Sequence, residues 1–170
     1  MQKALFLDRD GVINVEKDYL YKIDDFEFVD GIIELCRYYQ DNGYKIFVVT
    51  NQSGIARGYY SDDDFAKLSE WMIKEFAKYG IDIAKVYYCP HHPDISGECE
   101  CRKPKPKMLL DAKKEFDLDM KNSIMIGDKQ RDIEAAIDAG VNENYLFDES
   151  KSVKKSKATK IVSKLEDIWK

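Results

Sequence analysis

The sequence has no excess of positive charge and no long apolar run. Lys and Arg total 27 against 32 Asp and Glu, a formal charge of −5, so the bulk charge does not favour a nucleic acid or an anionic membrane as partner. The longest apolar stretches, such as residues 46–49, fall far short of the ~20 residues that cross a bilayer. The N-terminus also carries no signal-peptide pattern. We therefore expect a cytosolic protein that acts on a small molecule or on another protein.

The composition is that of an ordinary globular chain. Of the 170 residues, 44% are hydrophobic and 35% charged, which excludes intrinsic disorder and fibrous repeats. The sequence contains no internal repeat and no linker between two cores. We expect residues 1–170 to form one domain.

Three apolar runs end abruptly in a polar residue, at Asp8, Thr50 and Asp128. Such runs are typical of strands buried on both faces of a parallel sheet. Amphipathic helices are predicted between and after them, following Asp30, from Ser61 to Gly80, from Pro106 to about Phe116, and from Asp132 to Ala139. Further strands are predicted at 86–88, 145–147 and, at an edge, 160–162, and a solvated loop at 151–160. The alternation predicts an α/β fold with a doubly wound parallel sheet.

In such a sheet the ligand crevice lies beyond the carboxyl ends of the strands, where Asp8, Thr50 and Asp128 are expected. Asp8 and Asp10 follow the first strand and Asp128 follows a later one, an oxygen-rich set suited to Mg²⁺. One carboxylate can then act as a nucleophile and the other in proton transfer. An isolated Asp-x-Asp pair is more often part of a turn, so this interpretation depends on the neighbouring segments.

Two other segments carry groups that bind phosphate. The segment Thr50–Gly54 follows a buried strand and offers hydroxyl, amide and backbone N–H donors. The segment Arg102–Lys107 contains four cations just before a predicted helix. A basic run alone is usually a solvated surface, but phosphoryl transfer needs cations and donors around the transferred group. Taken together, the strand-end residues favour a phosphoryl-transfer site.

Three of the four cysteines fall in one short segment, as Cys89-x-His91 and Cys99-x-Cys101. A reduced cytosol disfavours disulfides, and the alternative of unliganded surface thiols does not explain the clustering. Three thiols and one imidazole fit a closed tetrahedral Zn²⁺ site with a structural role. His92 is a possible substitute for His91, and Cys36 is expected to be ordinary core.

Four motifs in order resemble the haloacid dehalogenase superfamily of phosphohydrolases. They are Asp8-x-Asp10-Gly11, Thr50-Asn51-Gln52, Arg102-Lys103-Pro104 and Gly127-Asp128-Lys129-x-x-Asp132, within residues 1–147. The resemblance implies that Asp8 is the nucleophile and Asp10 the acid/base, and that Thr50 and Lys103 stabilise the transferred phosphoryl group. It also implies that Mg²⁺ is held by Asp8, Asp128 and the backbone carbonyl of Asp10.

Within that superfamily the chain resembles the subgroup of heptose bisphosphate phosphatases and, less closely, the histidinol-phosphate phosphatases. The resemblance lies in Val48–Gly58, Tyr87–Pro93 and Gly127–Lys129, and it favours His91 as the fourth zinc ligand. It implies hydrolysis of the 7-phosphate of D-glycero-D-manno-heptose 1,7-bisphosphate, a step towards nucleotide-activated heptose for surface polysaccharide. Histidinol phosphate is the alternative substrate. The implied substrate-binding residues are Glu16, Lys17, Asp18, Tyr19, Thr50, Asn51, Gln52, Ser53, Arg102, Lys103 and Lys129.

The space between Gly11 and the first predicted helix is about twenty residues, too few for a separate cap domain. We therefore expect an open site enclosed by loops, and a monomer. Two other classes compete with an enzyme. A receiver-like phosphoacceptor would carry its reactive Asp after a later strand, and a zinc-stabilised interaction module would leave Asp8, Asp10, Thr50 and Asp128 unexplained.

Overall fold

The computed structural model describes all 170 residues and contains one six-stranded sheet. Every strand pair is parallel, in the spatial order β3-β2-β1-β4-β5-β6. The strands are β1 (Lys3–Leu7), β2 (Tyr44–Asn51), β3 (Ile83–Cys89), β4 (Ile124–Gly127), β5 (Glu143–Phe147) and β6 (Lys160–Val162). The predicted doubly wound fold is confirmed, with β6 at an edge.

Helices cover both faces of the sheet because the side chains of each central strand alternate between two apolar clusters. The helices are α1 (Ile32–Asp41), α2 (Asp62–Lys78), α3 (Pro93–Ser96), α4 (Lys107–Phe116), α5 (Gln130–Asp138) and α6 (Glu166–Trp169). Leu5 and Leu7 pack in one cluster with residues of α1 and α2, whereas Ala4 and Phe6 pack in the other with residues of α4 and α5. Cys36 is fully buried in the first cluster, as expected of a core residue.

The longest helix, α2, begins after Ser61, where the predicted helix starts, and its first turn is closed by a capping box. The Ser61 side chain accepts a hydrogen bond from the backbone N–H of Asp64, and the Asp64 carboxylate accepts one from the N–H of Ser61. Three acidic residues in the first turn suit the positive end of the helix dipole. None of the six helices combines the length and apolarity needed to span a membrane.

The order of the sheet reverses between β1 and β4, which are neighbours although far apart in sequence. This switch point brings the end of β1 next to the end of β4, with the end of β2 on the other side of β1. Between Gly11 and α1 the chain forms only isolated bridges and a 3-10 turn at Ile23–Asp25. The carboxyl edge of the sheet is therefore covered by loops alone.

Candidate active site

A cavity of about 380 Å³ opens at the switch point. Of its 15 lining residues, 12 are candidates that the sequence indicated, and they come from four separate segments: Asp8, Asp10, Glu16, Asp18, Tyr19, Asn51, Gln52, Ser53, Arg102, Lys103, Asp128 and Lys129. Sequence reasoning missed the other three, Arg57, Tyr60 and Arg131. Lys17 does not line the cavity, since its ammonium group donates to the backbone carbonyl of Asp25.

Lys103 lies buried between two carboxylates at the floor of the cavity. Its Nζ is 3.1 Å from Asp8 Oδ1 and 2.7 Å from Asp132 Oδ1, and it donates to the carbonyl oxygen of Val49 at 2.8 Å. Asp132 is fully buried, and its Oδ2 accepts the backbone N–H groups of Asp128 and Lys129. Asp132 thus fixes both the lysine and the turn after β4.

The pKa shifts follow from this burial. Burial raises the pKa of Asp8 well above its usual value, and Asp132 raises it further, although Lys103 acts in the opposite direction. Burial and Asp132 also raise the pKa of Asp128. Burial would lower the pKa of Lys103, but Asp132 and Asp8 outweigh it and raise that pKa. The cluster therefore holds more negative charge than one buried ammonium group balances.

Two glycines allow the acidic residues to approach one another. A Cβ atom on Gly11, which has φ +87°, would lie 2.2 Å from Asp128 Oδ2. A Cβ atom on Gly127 would lie 2.2 Å from the Cβ of Asp132. A side chain at Gly11 would collide with Asp128 across the loops after β1 and β4, and one at Gly127 would push the end of β4 away from Asp132 in α5. Gly11 and Gly127 are therefore required by the close approach of the carboxylates.

The carboxylate of Asp10 is held by three side chains. Arg9 Nη2 donates to Oδ1 at 2.9 Å and to Oδ2 at 3.1 Å, Asn14 Nδ2 donates to Oδ1 at 3.1 Å, and Gln52 Nε2 donates to Oδ2 at 3.0 Å. Arg9 is almost fully buried and also donates to the carbonyl oxygen of Leu20. These bonds fix the position of Asp10 beside Asp8.

Thr50 lies beneath the cavity, without lining it. The residue is fully buried, and its Oγ1 accepts a hydrogen bond from Gln52 Nε2 at 2.9 Å. Gln52 Oε1 in turn accepts from the hydroxyl of Tyr60, whose ring stacks on Tyr21. In this structure Thr50 therefore supports Gln52, and through it Asp10.

The carboxylate oxygens of Asp8, Asp128 and Asp132 lie within 4.8 Å of one another. Carboxylate oxygens are hard ligands, and three carboxylates this close repel one another. Such a group suits a divalent cation such as Mg²⁺. The donor set fits the implied metal.

The second cluster of potential ligands consists of Cys89, Cys99 and Cys101. Their Sγ atoms are separated by 3.6 Å (Cys89 to Cys99), 3.7 Å (Cys99 to Cys101) and 2.6 Å (Cys89 to Cys101). Four sulfur ligands at ~2.3 Å from Zn²⁺ in a tetrahedron are roughly 3.8 Å apart, so two of the three separations match such a site. The imidazole of His91 is not among the ligand atoms that lie within 4.8 Å of one another. The alternative ligand, His92, uses its Nδ1 atom to accept a hydrogen bond from the backbone N–H of Asp94.

The cysteine loop is joined to the cavity through the backbone of Lys103. Asn51 Oδ1 accepts the N–H of Lys103 at 3.0 Å, and Asn51 Nδ2 donates to the carbonyl oxygen of Lys103 at 3.2 Å. Lys105 Nζ donates to the carbonyl oxygen of Cys99 at 2.5 Å. Lys103, two residues after Cys101, is therefore held by the end of β2 as well as by the cysteine loop.

Arginine side chains from three segments line the outer part of the cavity. Arg57 lies 5.5 Å from the ring centroid of Tyr19, and Arg102 Nη1 donates to the carbonyl oxygen of His91 at 3.3 Å. Burial lowers the pKa of Arg102, and so does repulsion from Arg131 and Arg57. The cavity thus has carboxylates and a buried lysine at its floor, and arginines together with the exposed Glu16 and Asp18 farther out.

Comparison with known proteins gives a consistent result. The family model of haloacid dehalogenase-like hydrolases matches residues 2–140. The chain is 61% identical to a D-glycero-alpha-D-manno-heptose-1,7-bisphosphate 7-phosphatase of Campylobacter jejuni, covering 88% of this chain and 84% of that one. It is 49% identical to a D-glycero-beta-D-manno-heptose-1,7-bisphosphate 7-phosphatase of Haemophilus influenzae, covering 90% and 85%.

The fold is similar to that of a solved relative. The D,D-heptose 1,7-bisphosphate phosphatase from B. bronchiseptica, complexed with magnesium and phosphate, superposes with a TM-score of 0.83 at 29% identity. The match covers 98% of this chain and 95% of that one.

Proposed function

Because the chain belongs to the haloacid dehalogenase-like hydrolases, we propose that it hydrolyses the 7-phosphate of D-glycero-D-manno-heptose 1,7-bisphosphate as a single-domain phosphatase. The observation that carries the proposal is the strand-end cluster of Asp8, Asp10 and Lys103 in one polar cavity. Relatives that act on either anomer of this substrate are similar over most of the chain.

Asp8 is the proposed nucleophile. Its Oδ1 accepts hydrogen bonds from the backbone N–H of Arg9 at 2.9 Å and from Lys103 Nζ at 3.1 Å. These two donors fix the carboxylate and leave Oδ2 to attack phosphorus. A bond forms between Asp8 Oδ2 and phosphorus while the bond from phosphorus to the sugar oxygen breaks, which gives an aspartyl phosphate. Lys103 balances the charge on the transferred group.

Asp10 is the proposed acid and base. It gives a proton to the leaving sugar oxygen, and then takes one from the water that attacks the aspartyl phosphate. The second step releases inorganic phosphate and restores both carboxyl groups. The donors from Arg9, Asn14 and Gln52 keep Asp10 in place between the two steps. Thr50 supports this geometry through Gln52.

Asp8, Asp128 and the backbone carbonyl of Asp10 are the proposed holders of Mg²⁺. When bound, the cation neutralises the phosphate oxygens and draws the substrate into the cavity. The buried carboxylate of Asp132 stays with Lys103, because its Oδ2 already accepts two backbone N–H groups and its Oδ1 lies 2.7 Å from the ammonium nitrogen.

Cys89, Cys99 and Cys101 are the proposed thiolate ligands of one structural Zn²⁺, with the imidazole of His91 as the fourth ligand. The support is the sulfur separations and the chemistry of the donors. With four protein ligands the site leaves no position for water, so its role is to hold Arg102 and Lys103 at the cavity. The remaining substrate contacts are proposed for residues that line the cavity: Glu16, Asp18, Tyr19, Asn51, Gln52, Ser53 and Lys129.

The test is a phosphate-release panel with both anomers of the heptose bisphosphate and with histidinol phosphate. We expect release from a heptose bisphosphate only with Mg²⁺, and little from histidinol phosphate. The Asp8→Asn variant should lose at least about 10⁴-fold in kcat, and Asp41→Asn, an exposed change in α1, should not. Unchanged turnover in Asp8→Asn, or a preference for histidinol phosphate, would falsify the proposal.

A further inference from the structure

The three arginines of the cavity, Arg57, Arg102 and Arg131, form a cluster that the reaction centre does not use. Each contributes to the lining, and each comes from a different part of the chain: the loop after β2, the segment after the cysteine loop, and the first turn of α5. Lys103 alone balances charge at Asp8. The three guanidinium groups therefore need another explanation.

None of the three has an acidic partner. No carboxylate oxygen lies within 4.0 Å of their nitrogens, whereas the protein forms 13 ion pairs elsewhere. The Nε atom of Arg57 is buried and makes no hydrogen bond. An unpaired donor in this position costs free energy unless a ligand satisfies it.

The three cations also share one cavity, near enough for Arg131 and Arg57 to lower the pKa of Arg102 by repulsion. Arg102 is oriented by the carbonyl oxygen of His91, and Arg57 by the ring of Tyr19. Carboxylates line the same cavity, among them Glu16 and Asp18, yet none of them forms an ion pair with these arginines. Three guanidinium groups around one cavity, with N–H donors that no carboxylate accepts, are suited to bind a ligand with two negative charges.

We propose that Arg57 and Arg131, together with Arg102, bind the phosphate group of the substrate that is not transferred. The inference rests on the proposed function, since it concerns a substrate with two phosphates in one cavity. The floor of the cavity takes the phosphate that is cleaved, and the arginines take the other as a dianion. Arg57 and Arg131 are thus specificity residues, which select a bisphosphate over a monophosphate.

The test compares two substrates that differ only in the remote phosphate, heptose 1,7-bisphosphate and heptose 7-phosphate. We expect Arg57→Gln and Arg131→Gln each to lower kcat/KM for the bisphosphate about 10- to 100-fold, the effect of one lost charged hydrogen bond. Turnover of the 7-phosphate should change by less than about twofold, because that substrate does not reach the arginines. Arg57→Lys and Arg131→Lys should recover part of the loss.

The matched control is Arg37→Gln, on the exposed face of α1, where the arginine donates to the carbonyl oxygen of Tyr79. This variant should leave kcat/KM unchanged for both substrates. Equal losses on both substrates in the Arg57 and Arg131 variants would overturn the subsite. A wild-type protein that hydrolyses neither substrate would overturn the proposed function instead.

Calorimetric binding of heptose 1-phosphate separates these outcomes without turnover. The wild-type protein should bind it with a Kd at least about tenfold lower than that of the Arg57→Gln/Arg131→Gln double variant. Equal affinities would contradict the subsite, whatever the protein hydrolyses.

Discussion

The carboxylate cluster and the cysteine cluster are both groups of potential metal ligands at the carboxyl edge of one sheet, yet they are built differently. The carboxylates of Asp8, Asp128 and Asp132 follow two adjacent strands and enclose a buried lysine. The thiols come from the end of β3 and from the loop after α3, without a buried cation among them. The first set has hard ligands beside an open cavity, and the second has soft ligands beside packed apolar side chains.

The difference shows how one short segment serves both clusters. Cys101, Arg102 and Lys103 are consecutive, so a metal on the thiols fixes the backbone from which the two cations extend. Asn51 holds the same backbone from the side of β2. We therefore expect the chemistry at the carboxylates to depend on the structure at the thiols, and we do not expect the reverse dependence.

Of the substitutions that test how the two clusters are linked, the replacement of Lys103 should have the largest effect on kcat. Lys103→Met should lower kcat about 10²- to 10³-fold, because the developing charge on the phosphoryl group loses its buried cation. Lys105→Met, two residues on, removes a half-exposed cation and should change kcat less than about threefold. Steady-state kinetics on both variants measure the contrast.

A folding control is needed because Lys103→Met leaves Asp8 and Asp132 unpaired, at a cost of about 3–5 kcal/mol. Lys103→Arg keeps the charge and should fold, but with kcat still reduced, because the larger planar group does not fit between the two carboxylates. Similar kinetics for the Lys103 and Lys105 variants would mean that the basic segment acts only through its total positive charge, with no specific role for Lys103.

Removal of one thiol should affect zinc content and stability more than the chemical step. Cys99→Ser should lower the zinc content from about one ion per chain to near zero, because a tetrahedral site loses affinity steeply with each thiolate lost. The free energy of unfolding and kcat/KM should both decrease, with a smaller change in kcat than for Lys103→Met. Elemental analysis and thermal unfolding measure these effects.

Cys36→Ala provides the matched control, because Cys36 is buried in the core on the other face of the sheet. The Cys36→Ala protein should keep the zinc ion. His91→Ala and His92→Ala identify the fourth ligand, and we expect only the first to lose zinc. Wild-type protein purified without chelator and free of zinc would contradict the site.

The smallest expected effect is that of Mg²⁺ on stability. Burial raises the pKa of Asp8 and of Asp128, so the metal-free folded protein binds more protons there than the unfolded chain does. Its stability should therefore decrease as pH rises from the ordinary carboxyl pKa of about 4 through the raised values. Mg²⁺ at about 100 times its Kd should add roughly 3 kcal/mol at neutral pH, a rise of about 5–10 °C in Tm, and less at acidic pH.

Differential scanning calorimetry at several pH values checks this effect. Asp8→Asn should abolish most of the Mg²⁺ response, while Cys99→Ser should keep it. A response that does not depend on pH or on Asp8 would place the cation elsewhere.

The fold could be predicted because its strands and helices are marked by local patterns. The apolar runs of β1 and β4, the capping box at Ser61 and the edge strand at 160–162 all appear in the structure. The short helices α3 and α6 were not predicted, since four residues are too few to show a helical period.

The cavity was predicted less completely than the fold. Asp8, Asp10, Lys103 and Asp128 adjoin strand ends or a recognisable motif, and all four line the cavity. Arg57 and Arg131 lie in a loop and a helix whose orientation depends on tertiary packing, so no spacing in the sequence indicated them. The burial of Thr50 beneath Gln52 likewise depends on which way the end of β2 turns.

The central claim is that the carboxylate cluster performs the chemistry, with Asp8 as the residue that takes the phosphoryl group. The most direct measurement is mass spectrometry of wild-type protein that is rapidly quenched in acid during turnover with Mg²⁺ and the heptose bisphosphate. One phosphoryl group should be found on Asp8, and none should be found on the Asp8→Asn variant. Phosphate release by the wild-type protein, with no phosphoryl group on Asp8 at any quench time, would contradict the account.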